Sequence, residues 1–263
     1  MSQAQYESDY ELQENDNIIE LIPKIKLNII KEIYESIGYG LGITNNVCDY
    51  KNYLINDPGL FGNSFGLDSG SFENYAGGII SLDELMKIYP RAKRDYAGAA
   101  LAALDKYGST VGLSDKGKLM VLAQFAHESG NFIYTAELGK GKGRKYGNPA
   151  GPYNKVYYGR GPIQITWEEN YKSITKNIFP KMGINADIWA DPDLCEQNLL
   201  IGCAASLAWF LLPGNGKKAI AAANAGDVLG LTKAINGGTN GLADRQKNTE
   251  KIFAAIGGKN NYA

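Results

Sequence analysis

The sequence predicts a mainly α-helical protein. Three observations carry that reading: apolar residues recur at helical spacing in several separate stretches, capping and stopping residues bracket those stretches, and no stretch shows sustained strand-like alternation. With 263 residues, 44% hydrophobic and 21% charged, the chain can bury one large core or two smaller ones and still carry a cleft.

The first twenty residues hold six acids and no Lys or Arg, the pattern of a solvated tail. Behind Pro23, a suitable first-turn proline, Ile22, Ile25, Ile29, Ile30, Ile33 and Ile37 predict an amphipathic helix over about 23–37. Between Gly59 and Gly78 six glycines alternate with Phe61, Phe65, Phe72 and Tyr75, which predicts an irregular, packed segment closing an N-terminal extension. The extension is assigned to 1–78 and a second domain to 79–263. That domain opens with Ser81 and Glu84, a capping box ahead of Leu82, Leu85, Met86 and Ile88, and Pro90 stops the helix. An alanine-rich helix follows over about 95–107. Ser114 caps the next one, which ends on His127 and Glu128 before Gly130. Asp191-Pro192 predicts one helix running to about Leu212, and a last helix spans about Ala243 to Ile256.

A net charge near −1 argues against a nucleic-acid partner, which would require a basic face. Cys195 and Cys203 fall in one predicted helix, hence roughly 12 Å apart at 1.5 Å per residue, beyond the reach of about 4.4–6.8 Å for a disulfide. The chain therefore does not depend on an oxidising compartment. It shows no apolar signal segment, and its longest apolar run, Leu199 to Leu212, is shorter than the roughly 20 residues of a membrane span. The expectation is a protein made in the cytoplasm, with no membrane span.

The stretch from Ala123 to Glu137 holds the single histidine of the chain, His127, with Glu128 beside it and Glu137 nine positions later. A zinc site of the His-Glu-x-x-His type fails because Asn131 stands where the second histidine belongs, so neither metal nor cofactor is expected. The plain alternative is two surface glutamates. If the helix breaks at Gly130 and the chain folds back, the carboxylates can face each other. A gap of about 6.5–9.5 Å suits an inverting glycosidase, and one near 5 Å a retaining one. A stronger signal is Tyr157-Tyr-Gly-Arg-Gly-Pro-Ile-Gln-Ile-Thr-Trp167, which is neither helix nor simple strand and lacks phosphate-loop spacing.

That loop, followed by Glu-Glu-Asn-Tyr171, occurs in order with Ala126-His-Glu-Ser-Gly130, Ala190-Asp-Pro-Asp-Leu194, and Lys233-Ala-Ile-Asn-Gly-Gly238 through Ala243-Asp-Arg-Gln246. Together these motifs resemble glycoside hydrolase family 19, which contains plant and bacterial chitinases and many phage endolysins. The resemblance runs from about Ile79 to the C-terminus. It implies a lysozyme-like bilobal helical domain with a substrate cleft, and inverting hydrolysis of β-1,4 bonds in chitin or peptidoglycan. It further implies Glu128 as general acid, Glu137 as general base, and Thr166 as a holder of the attacking water. Gln164, Asn170, Asn236 and Tyr158 match sugar-binding positions; Arg245, His127 and Arg160 match a supporting network. Asn236 also reads as a cap for Gly237-Gly238, Arg245 as a surface charge, and His127 as a residue that holds the helix end.

The acid role requires Glu128 to keep its proton near neutral pH, through burial or a neighbouring negative charge. Lys140, Lys142, Arg144 and Lys145 beside Glu137 suit the carboxylates of peptidoglycan, or form an ordinary solvated loop. Acting on a cell wall after release or as part of a phage particle is the corresponding expectation, with 1–78 as an attachment module for a particle or wall. The alternative from a different class is a non-catalytic sugar-binding or virion structural protein that retains the fold.

Overall fold

A computed structural model describes residues 71–257. The acidic tail, the helix expected over about 23–37, Cys48, and the glycine-rich segment up to residue 70 lie outside the described residues.

The first helix, α1 (Leu82–Ile88), begins with the expected box: the Ser81 hydroxyl accepts the Glu84 N–H at 3.2 Å, and the Glu84 carboxylate accepts the Ser81 N–H at 3.2 Å. Helix α2 (Arg94–Tyr107) is alanine-rich and buried along most of its length, which small side chains permit. Phe72 and Tyr75 lie against it. Gly98 admits the Phe72 backbone so closely that a Cβ there would meet Phe72 O, and the Tyr75 hydroxyl bonds Asp105.

Helix α3 (Asp115–Glu128), capped by Ser114 through the Gly117 N–H at 3.1 Å, is the central element. Every residue from Gly117 to Ala126 is buried, as expected of a helix packed on several sides. The remaining helices are α4 (Glu168–Ser173), α5 (Leu194–Gln197), α6 (Leu199–Ala208), α7 (Gly216–Ala225), α8 (Val228–Asn236) and α9 (Leu242–Ala255). Helices α2, α7 and α9 pack on α3, α6 packs on α2, and α8 bridges α7 and α9. Among the described residues there are no strands, only isolated antiparallel bridges such as Ala136 with Arg160 and Arg160 with Ile165.

One expected element differs. The single helix over Asp191–Leu212 is two helices and a 3-10 turn, because Asn198 leaves helical geometry (φ −120°, ψ 104°) and caps α6 with its own side chain, accepting the Ile201 N–H at 3.1 Å. The local competence of an asparagine to cap outweighs the apolar run that follows it. Cys195 and Cys203 therefore sit on different helices, both buried and both free. No single helix among the described residues is long and apolar enough to cross a membrane.

Candidate active site

Glu128 is the last residue of α3, and Arg245 reaches it from the first turn of α9. The guanidinium Nη2 donates to Glu128 Oε1 at 2.6 Å, Nη1 donates to Gln124 Oε1 one helical turn back, and Nε lies 3.4 Å from the Asn240 carbonyl. Arg245 is 2% exposed, while the Glu128 side chain keeps 21% of its surface open. The surface-charge reading of Arg245 is thus replaced by a buried ion pair. The charged group in contact with the Glu128 carboxylate is a cation. Oε2 of Glu128 receives no protein hydrogen bond among the described residues.

His127 points elsewhere. Its Nδ1 pairs with Asp244 Oδ2 at 2.6 Å, and its ring covers Gly241, where a Cβ would come within 2.2 Å of Nε2. With φ +71° at Gly241, the glycine both makes the left-handed entry into α9 and leaves room for the imidazole. His127 thereby fastens the end of α3 to the start of α9, the helix that delivers Arg245.

Beyond Glu128 the chain turns sharply. Gly130, Asn131 and Phe132 are three successive left-handed residues, with φ of 62°, 63° and 60°. Such backbone costs about 1–2 kcal/mol per non-glycine residue and persists only when its surroundings hold it. Here the Ser129 hydroxyl donates to Phe125 O at 2.6 Å and accepts the Phe132 N–H at 2.9 Å. The fully buried Phe132 ring meets Tyr89 and Tyr96 edge to face at 5.7 and 6.1 Å.

The chain then folds back as expected. Gly161 N–H bonds Thr135 O at 2.8 Å and Glu137 N–H bonds Gly159 O at 2.9 Å, laying Thr135–Glu137 along the Gly159–Gly161 loop. Both oxygens of Glu137 are held by neutral donors: Oε1 by the Gly159 N–H at 3.1 Å, Oε2 by the Tyr146 hydroxyl at 3.1 Å. The Tyr146 ring stands edge-on to Trp167 at 5.5 Å, and Trp167 is 48% exposed. Burial first, and then the hydrogen bond to Glu137, push the pKa of the Tyr146 hydroxyl up from its ordinary value, so it stays a donor.

The loop itself is built on a second buried guanidinium. Arg160, 2% exposed, donates from Nη2 to Asp193 at 2.6 Å and from Nε to Glu196 at 2.9 Å, and stacks over Tyr158 at 3.4 Å. The Tyr158 hydroxyl donates to Glu196 at 2.5 Å. Tyr158 is buried by these contacts and lies in the support of the loop. Thr166 is half-buried, and its carbonyl accepts Asn170 Nδ2 at 2.8 Å; no protein hydrogen bond falls on its hydroxyl among the described residues. Gln164 (φ 58°) donates to Gly161 O at 2.9 Å. Asn236 has both halves of its amide engaged, accepting from Gly238 N–H and donating to Asn240 O, each at 2.8 Å, which is the capping arrangement. Sequence reasoning missed Gln124, Tyr146, Asp244, Asp193 and Glu196. Only Tyr146 stood out in retrospect, as the one aromatic in the basic, glycine-rich stretch 139–147.

The chitinase class I family model matches residues 121–234, the span from the middle of α3 through most of α8. Over that span the chain is similar to glycoside hydrolase family 19. An endochitinase of Arabidopsis thaliana is 36% identical over 116 residues, covering 43% of this chain; the chain spans 37% of that relative's length. An acidic endochitinase of Dioscorea japonica is 31% identical over 166 residues, 60% of this chain and 61% of that protein. Among solved structures, chitinase C from Streptomyces griseus HUT6037 aligns at a TM-score of 0.51 with 26% identity, covering 69% of this chain and 78% of that one. The helical domain thus has the lysozyme-like fold of the family 19 chitinases. No group of three or more potential metal ligands lies together among the described residues.

Proposed function

We propose that this family 19 domain is an inverting endo-hydrolase of β-1,4 bonds in a polymer containing N-acetylglucosamine, with Glu128 as general acid and Glu137 as general base. The observation that carries the division of roles is the different setting of the two carboxylates. Glu137 is oriented at both oxygens by neutral donors, which hold the carboxylate in one orientation, as a base aimed at its water requires. Glu128 is oriented through Oε1 only, leaving Oε2 to carry the proton for the leaving oxygen. Thr166, with its uncommitted hydroxyl, is assigned to the attacking water, and Trp167 to stacking against a sugar ring. Parallel hydrolysis of a chitin oligosaccharide and of purified peptidoglycan by wild type, Glu128→Gln and Glu137→Gln tests this. Both substitutions are expected to lower the rate by orders of magnitude, and the first product is expected to have inverted anomeric configuration. No cleavage of either polymer by wild type favours the non-catalytic sugar-binding alternative.

The names of the relatives favour chitin. A specific observation favours peptidoglycan as a second reading: residues 138–155 carry Lys140, Lys142, Arg144, Lys145 and Lys155 and no acid, in a chain of net charge −1. Next to Glu137, such a stretch suits a glycan bearing carboxylates. Residues 1–78 are assigned to attachment; their removal is expected to abolish localisation to a wall or particle and to leave hydrolysis intact.

A further inference from the structure

We propose that Tyr146 is a positioning residue for Glu137, and that the stretch 138–147 is a fixed clamp holding it in place. The inference rests on the reading of Glu137 as the base. A carboxylate on a flexible side chain can turn about its last bond, and a base must hold one lone pair toward its water. Glu137 is fixed from two independent directions. Oε1 is tied to the Gly159 N–H in the loop supported by Arg160, and Oε2 is tied to Tyr146 from the basic stretch.

The clamp is itself closed at three places. The backbones of Gly141 and Gly147 touch so closely that a Cβ at Gly147 would meet Gly141 O, and Gly141 lies against Tyr158. Lys140 lies over the Tyr158 ring at 5.6 Å and 4.0 Å from Glu196. Tyr146 rides on the short 3-10 turn Lys145–Gly147 and rests its ring edge-on to Trp167. The four exposed cations of the stretch leave its outer face wet, while its inner face delivers a single hydroxyl to the carboxylate. The glycines allow the closure, and the tyrosine gives it a chemical purpose.

The test is kinetic and uses the full chain on whichever polymer wild type cleaves, with Tyr146→Phe, Glu137→Gln and the double variant compared. Tyr146→Phe keeps the ring and its contact with Trp167 and removes only the hydroxyl. The expected result is a fall in kcat of about tenfold to a hundredfold, the range for a lost hydrogen bond to a charged group, with KM within about twofold. The double variant is expected to be no slower than Glu137→Gln alone, because Tyr146 acts through Glu137. Unchanged kcat in Tyr146→Phe, a raised KM at constant kcat, or additive losses in the double variant would each overturn the inference while leaving Glu137 as the base. Full activity of Glu137→Gln would remove the base assignment and this inference with it.

Discussion

Arg245 and Glu128 form an ion pair at 2.6 Å in which one partner is buried and the other is partly open to solvent. The guanidinium bridges the end of α3 to the start of α9, so that the position of the carboxylate depends on the packing of two helices distant in sequence. Removing a partner from such a pair is costly, up to roughly 3–5 kcal/mol when both are buried. The open face of Glu128 puts this pair at or below the lower end. Arg245→Met is therefore expected to lower the melting temperature by several degrees, at ~2–4 °C per kcal/mol, and to cut kcat at least about tenfold. Arg245→Lys, which keeps the charge and loses the planar fork, should recover stability better than rate. Thermal denaturation and initial rates, measured on the same preparations, decide it.

The fit of His127 over Gly241 gives a second prediction. Gly241→Ala meets a left-handed backbone and a ring within 2.2 Å of the new Cβ, so the cost includes strain of about 1–2 kcal/mol in addition to the displaced imidazole. His127→Gln removes a partly exposed pair, worth about 0–1 kcal/mol. The expected order in chemical denaturation is a clear loss for Gly241→Ala and a small one for His127→Gln, with the latter still active. An inactive but stably folded His127→Gln would give the histidine a part in the chemistry.

Arg160 holds the Gly159–Gly161 loop through Asp193 and Glu196. Glu196→Gln weakens the contacts to Arg160, Tyr158 and Lys140 together, and should destabilise the fold by about 1–3 kcal/mol. Because the loop supplies the Gly159 N–H to Glu137, a loss of kcat should accompany it. Retained activity in a destabilised variant would separate the two roles of the loop.

The buried thiols predict alkaline behaviour. Burial pushes Cys195 up to about 12, with Arg160 pulling weakly the other way, and burial likewise raises Cys203. An unfolded thiol titrates near about 8.5. A raised folded value means that this contribution is complete below about 8.5 and is lost as the pH rises through the folded value. Native protein at pH 8 should resist iodoacetamide at Cys195 and Cys203, react at both in urea, and melt progressively lower above about pH 9. Peptide mapping that finds either residue alkylated in the native state would refute the assignment.

The long elements were legible in the sequence because their signals are local: Ser81 and Glu84 announce α1, Ser114 and Gly130 bracket α3, and the expected bounds of α2 and α9 differ from the observed ones by one residue. Helices α4, α7 and α8 were not read, since runs such as Ala221-Ala-Ala223 have little periodicity and take their direction from packing on α3 and on each other. The break at Asn198 was hidden by the apolar residues around it. In the site, candidate residues could be named from motifs, but their pairings could not. Gln124 and Glu196 are ordinary polar residues outside the quoted motifs, and Asp193 and Asp244, though inside them, take their partners only from what folding brings beside them.

The bridge between Ala136 and Arg160 has a consequence for how the protein can change over generations. In paired extended backbone, neighbouring side chains point to opposite sides, so a slip of one residue inverts every orientation. An insertion between Gly130 and Thr135 that shifted this pairing would turn Glu137 away from Tyr146 and the Gly159 N–H. The interval of nine residues thus works as a ruler with a single mark, whereas the stretch after Glu137 is free to lengthen or shorten wherever its closing contacts survive.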